Sequence, residues 1–166
     1  MALPTRGYMP TLLDRLCGDH DTGAHMRMTI EQLKDSVARD LEALLNTRAG
    51  IDAPALADFE CCRTSILAYG LIDFAGSCLS SIEDRAAICA SLKRAIEQHE
   101  PRLREVSATL ESEPGSVNRL NFCINASLQV AGSADCADPA EAVNFNAVLQ
   151  PSSLHYSISK ARAVRA

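Results

Sequence analysis

At Glu100-Pro101-Arg102-Leu103 one periodicity ends and another begins. Upstream, apolar residues recur every three or four positions; downstream, they alternate with polar ones. Proline pushes the preceding residue out of the right-handed helical region and lacks the N–H that would continue the ladder, so a helix has to stop at Glu100. A chain with helices before this point and strands after it is confined to the α+β class. Two opposite charges are thereby held at an element boundary, where binding residues tend to gather.

The helical part has its own start signals. Thr29 with Gln32 makes a capping box, Met28 and Leu33 make a hydrophobic staple, and Ile30, Leu33, Val37, Leu41, Leu44 and Leu45 follow helical spacing. Gly50 stands where a C-terminal cap is expected. Glu31, Lys34, Asp35, Arg39 and Glu42 form the opposite, wet side. Between 51 and 80 the pattern is irregular, with Pro54 opening a loop or short helix and a short apolar segment turning at Gly70. Ser81 and Asp84 repeat the capping-box signature, and Ile88, Leu92, Ala95, Ile96 and His99 share one helical face until Pro101. His99 reads as a satisfied, partly buried histidine.

Past the joint, Val106, Ala108 and Leu110 alternate with polar neighbours, and Glu113-Pro114-Gly115 is expected to turn the chain. Leu120, Phe122, Ile124, Ala126, Leu128 and Val130 form the cleanest strand pattern. A loop over 132–139 leads to a third strand through Val143, Phe145, Ala147 and Leu149, and Pro151-Ser152 offers a turn into a fourth at 154–158. The expected fold is an antiparallel sheet of three to four strands covered on one face by two main helices. An N-terminal arm with a short helix occupies 1–28, a single domain 29–150, and a strand or basic tail 151–166.

With 166 residues, 47% apolar and 22% charged, such a domain can bury a real core. A net charge of -5 argues against a general nucleic-acid binder, which needs clustered Lys and Arg. No signal peptide is expected, because Pro4, Arg6, Pro10 and Asp14 interrupt any apolar run. No membrane span is expected either, since 66–79 contains Asp73 and is too short. Seven cysteines, an odd number without framework spacing, read as reduced thiols. Cys17, His20 and His25 lack the second ligand pair of a structural zinc site, so neither metal nor cofactor is expected. The arm's short helix must dock to be ordered.

Four separated stretches, taken in order, resemble one family. They are Leu12-Leu13-Asp14-Arg15-Leu16, the helical run from Ser36 through Arg39-Asp40-Leu41-Glu42 to Asn46-Thr47-Arg48, Tyr69-Gly70-Leu71-Ile72-Asp73, and Glu100-Pro101-Arg102-Leu103. The combination looks like the contractile phage-tail baseplate wedge (lysozyme-like) family and, within it, the E component of the bacterial type VI secretion baseplate. Ile72 departs from the family, where Pro is usual, and the chain beyond Leu149 is unmatched. The resemblance implies a structural, cytoplasmic protein of a membrane-docked injection machine. Its partners would be other baseplate wedge subunits and the contractile sheath protein, with no nucleic acid, membrane insertion or small-molecule substrate. A sheet with an unpaired edge suits such assembly. By the same resemblance Glu100, Pro101 and Arg102 contact the wedge core, and Leu12, Leu13, Asp14 and Arg15 form an N-terminal attachment element.

Arg39, Asp40, Asn46, Thr47 and Arg48 complete the set of partner-contact candidates. Arg39 and Asp40 are helix neighbours that point apart, so separate contacts are expected. Arg102 is expected at the surface, its forked guanidinium aimed at a partner and steadied by Glu100. Enzymatic readings fare poorly. Glycoside hydrolysis needs two carboxylates across a cleft walled with aromatics, whereas Trp is absent and aromatics are 4%. Asp40, Glu42 and Glu100 are expected at solvated positions, and no nucleophile arrangement recommends itself. A phage-tail-like wedge protein and a small regulatory anti-adaptor of similar fold are the alternatives, separable by neighbouring genes for sheath, tube and wedge.

Overall fold

A computed structural model describes residues 8–11, 14, 16, 28–72, 74, 81–111, 120–129, 140–150, 153 and 155–160. Helix α1 spans Ile30–Asn46 and is followed by a 3-10 turn at Ala53–Leu56, the single-turn α2 at Glu60–Arg63, a second 3-10 turn at Ile66–Ala68 and the long α3 at Ile82–His99. Strands β1 (Leu103–Glu111), β2 (Leu120–Leu128), β3 (Glu141–Gln150) and β4 (His155–Lys160) follow. They make one antiparallel sheet in the order β1-β2-β3-β4, so the expected α+β fold is present with its fourth strand. The turns expected at 113–115 and 151–152, the cysteine-histidine stretch at 17–25 and the basic tail past 160 lie outside the described residues.

The caps at both helix starts follow the sequence. The Gln32 N–H donates to the Thr29 hydroxyl at 3.2 Å and the Thr29 N–H donates back to Gln32 Oε1 at 2.8 Å, closing the capping box. Ser81 accepts from the Asp84 N–H at 3.3 Å and starts α3. The end of α1 differs from expectation: the helix stops at Asn46, ahead of Gly50. Thr47 is extended, and Arg48 forms a parallel bridge with Leu71. The Leu71 N–H donates to the Thr47 carbonyl and the Ala49 N–H to the Leu71 carbonyl, both at 2.9 Å. A tertiary pairing therefore terminates the helix. Gly70 makes that pairing possible, since its φ is 116° and a Cβ there would sit 2.7 Å from the Thr47 carbonyl oxygen.

The core lies between the helices and one sheet face. Leu33, Val37, Leu41, Leu44 and Leu45 of α1 and Ile88, Leu92 and Ile96 of α3 meet Phe122, Ile124, Leu128, Val143, Phe145 and Tyr156. Each such large side chain contributes roughly 1.5–3 kcal/mol by leaving water. The opposite face of β2 and β3 carries Asn121, Asn125, Asn144 and Asn146. In β1, Leu103 and Val106 are both buried although three positions apart, which no regular strand allows. The register shifts by one residue between Arg104 and Ser107, with Glu105 at φ 53°, and this bulge turns Val106 inward. Among the described residues no helix is long and apolar enough to cross a membrane, and no group of three metal-ligating side chains occurs.

Candidate assembly site at the helix–sheet joint

The last turn of α3 sets the joint. The Glu100 N–H donates to the Ile96 carbonyl at 2.8 Å, and the Leu103 N–H donates to the Glu100 carbonyl at 3.0 Å, with Pro101 and Arg102 as the turn between them. The Gln129 N–H donates to the Arg102 carbonyl at 2.7 Å, which ties the turn to the end of β2. Because Leu103 plunges into the core immediately afterwards, the chain reversal carries Glu100 inside with it. Glu100 is only 6% exposed, which corrects the expectation of a solvated carboxylate there. Asp40 and Glu42 are half-buried.

A buried carboxylate needs a partner, and Arg102 supplies it. Its Nε donates to Glu100 Oε1 at 2.6 Å and its Nη2 to Glu100 Oε2 at 2.5 Å, the forked geometry that suits a carboxylate. The same Nη2 reaches Asp40 Oδ2 of α1 at 2.5 Å. The Arg102 side chain is 23% exposed, so the expected surface charge is instead an internal tie between α1 and the joint. Burial by itself would lower the arginine's pKa. Bonds and charges from Glu100 and Asp40 outweigh burial and hold the guanidinium firmly charged. Nη1 is buried without a hydrogen-bond partner among the described residues.

The neighbouring aromatic pair frames the cluster. Tyr69 and His99 meet edge to face at 5.2 Å, and the His99 ring nitrogen Nε2 lies 3.0 Å from the Ala68 carbonyl oxygen. His99 is thus partly buried and satisfied, as expected. Burial, and then the charges of Asp40 and Glu100, push the Tyr69 hydroxyl's pKa up.

The remaining candidates fall into two groups. Asp14 accepts from Ser36 Oγ and Arg39 Nη2, both at 2.8 Å, and so is tied to α1. Arg39 and Asp40 accordingly make separate contacts, one with Asp14 and one with Arg102. Leu12, Leu13 and Arg15 lie outside the described residues. At the other end of α1, the Asn46 amide donates to the Tyr156 carbonyl and accepts from the Tyr156 N–H, both at 2.8 Å. The Thr47 hydroxyl donates to the Ala43 carbonyl at 2.7 Å, and Arg48 Nη1 lies 3.5 Å from the Leu45 carbonyl oxygen. Asn46 and Thr47 therefore serve the chain's own backbone.

Sequence reasoning missed Glu42. Its Oε2 accepts from the Ile158 N–H at 2.8 Å, one helical turn from Asn46. Together these two side chains take up the outer edge of β4. Their i,i+4 spacing was the available signal, because it places both on one ridge of α1.

Residues 31–133 match the family described as baseplate wedge protein gp25. The chain belongs to this family. The match runs from the first turn of α1 through the joint and past β2, so Asp40, Glu100 and Arg102 all lie within it, whereas Asp14 does not. Membership makes the chain a structural baseplate component of the wedge type. Among solved structures, a chain from "The baseplate complex from the type VI secretion system" is similar with a TM-score of 0.47 and 20% identity, over 72% of this chain and 96% of that one. Comparison with curated proteins finds no match.

Proposed function

We propose that this wedge-family protein serves in a type VI secretion baseplate as the E component, TssE, and that Glu100-Pro101-Arg102 is its contact with the wedge core. The observation that carries this reading is the cluster beside the joint, where two carboxylates share the one Arg102 guanidinium and the Asp40 side chain stays 34% exposed. Two carboxylates around one guanidinium leave the cluster with surplus negative charge, suited to a basic partner group.

In this reading Leu12, Leu13, Asp14 and Arg15 attach the N-terminus, with Asp14 anchoring that element to α1. Because α1 takes up the outer edge of β4, strand addition by a sheath subunit falls to the β1 side. The protein works without catalysis, cofactor or nucleic acid, in the cytoplasm at a membrane-docked apparatus.

Co-expression with the wedge subunits encoded by neighbouring genes tests this. Wild type should be retained by them at modest salt. The double variant E100M/R102M, which removes both charges while filling the space, should keep the fold and lose the complex. Failure of wild type to co-purify overturns the proposal.

A further inference from the structure

A cavity of about 460 Å³ opens between α3 and the 49–72 segment, within the roughly 300–1,000 Å³ typical of ligand pockets. Its lining is mainly apolar, including Ala49, Ile51, Leu56, Ala68, Ile72 and Ala95. The walls are tied together: Gln98 Nε2 donates to the Arg63 carbonyl, and His99 Nε2 lies 3.0 Å from the Ala68 carbonyl oxygen. Such a groove is preorganised and loses little order on binding.

Two further observations indicate what fills it. Of the eight large hydrophobic side chains exposed among the described residues, Ile51, Phe59, Ile66, Leu67, Ile72 and Ile82 belong to the 51–82 stretch. Concentration of exposed apolar surface marks an interaction site. At the rim, Arg63 and Arg94 are exposed, and neither side chain has an ion pair or hydrogen bond among the described residues. Among the described residues, Glu60 is the one acid lining the groove. A net-acidic protein thus presents two exposed guanidinium forks, without partners among the described residues, beside an apolar hole. That charge pattern complements an apolar anchor flanked by carboxylates.

We propose that this groove receives an amphipathic segment of another wedge subunit, with an aliphatic or aromatic anchor seated between α3 and the 49–72 segment and Asp or Glu side chains on Arg63 and Arg94. The proposal rests on the assembly reading above and adds a second contact, built from different residues than the joint.

Site-specific photo-cross-linking separates the two. With p-benzoylphenylalanine at Thr64 on the groove rim, at Pro101 in the joint, or at Ser159 as a control, the protein is co-expressed with the neighbouring wedge subunits and the captured peptides are sequenced by mass spectrometry. Thr64 should capture an apolar segment bearing a carboxylate within about one helical turn of the anchor. The charge reversal R63E/R94E should lower that yield about tenfold, as like charges facing each other oppose binding, with an unchanged melting temperature. R63K/R94K, which keeps the charge and loses the fork, should retain a yield between those of wild type and the charge reversal. Capture of a second copy of this chain, capture of a segment without acids, or insensitivity to charge reversal overturns the groove proposal. Silence at Thr64 with capture at Pro101 overturns it while sparing the joint, and silence at both overturns both readings.

Discussion

Along β4 the polar groups of the sheet edge end on neutral or singly charged side chains of α1, whereas beside β1 one guanidinium is shared by two carboxylates and still keeps a buried N–H without a partner among the described residues. At β4, Asn46 closes both backbone groups of Tyr156, Glu42 takes the Ile158 N–H, and Lys160 reaches Asp35 at 2.7 Å and Glu31 at 3.2 Å. Every one of those bonds finishes inside the chain, and the edge is protected from adventitious pairing. At the joint the same helix contributes Asp40 to a cluster that, among the described residues, is left one acceptor short. A buried ion pair is weak evidence for stability, because desolvation offsets most of its Coulomb energy. The difference teaches that α1 has two jobs: it seals one flank of the sheet and positions a charged group on the other.

The largest expected effect tests the joint. Glu100→Ala leaves Arg102 without its main partner and should cost about 3–5 kcal/mol, read by chemical denaturation, while E100M/R102M should recover most of that loss. A single-variant cost below about 1 kcal/mol would reduce the cluster to a surface pair and collapse the contrast between the flanks. Next comes the sealed flank: Asn46→Ala strands the Tyr156 N–H and carbonyl, for a loss of about 2–3 kcal/mol and faster amide exchange along β4. Unchanged exchange would mean that β4 is closed by other means.

A smaller effect of opposite sign is expected inside that flank. The Tyr156 hydroxyl is buried without a partner among the described residues, and burial pushes its pKa up to about 12, so it stays neutral at working pH. Tyr156→Phe should leave stability unchanged or raise it by up to about 1 kcal/mol. A clear loss would reveal a bonded hydroxyl.

The smallest effect concerns the arm. Burial alone would raise the Asp14 carboxyl's pKa, but bonds from Ser36, Thr11 and Arg39 outweigh it and hold the group below its ordinary 3.8. A depressed folded-state pKa adds stability that is present above the ordinary value and is lost as pH falls through the folded one. The arm's grip on α1 should therefore weaken in the acid range below about pH 4, followed by the NMR shift of the Ser36 amide, and Asp14→Asn should abolish that dependence.

Legibility in the sequence tracked distance along the chain. Helix starts at Thr29 and Ser81, the stop at Pro101 and the alternation through Phe122, Ile124 and Leu128 are local signals, and each is found in the structure. Glu100 was misjudged because a carboxylate is presumed wet unless its partner is known; Arg102 stands two residues away, but Asp40, which completes the cluster, lies 62 positions earlier. The groove went unread because residues 51–80 have no period, so nothing in their order says which apolar side chains stay exposed.

By itself the sequence determined the class of fold, the faces of α1, α3 and the strands that turn inward, and the place where helix gives way to sheet, since these follow from residue-scale sterics and periodicity. Only the tertiary structure decided that Gly70 and Leu71 end α1, that a bulge at Glu105 brings Val106 into the core, that α1 closes β4, and that Arg102 faces inward. Each of those outcomes depends on groups far apart in the chain meeting in space, and the cost of burying a charge or an N–H is settled only by what it meets there.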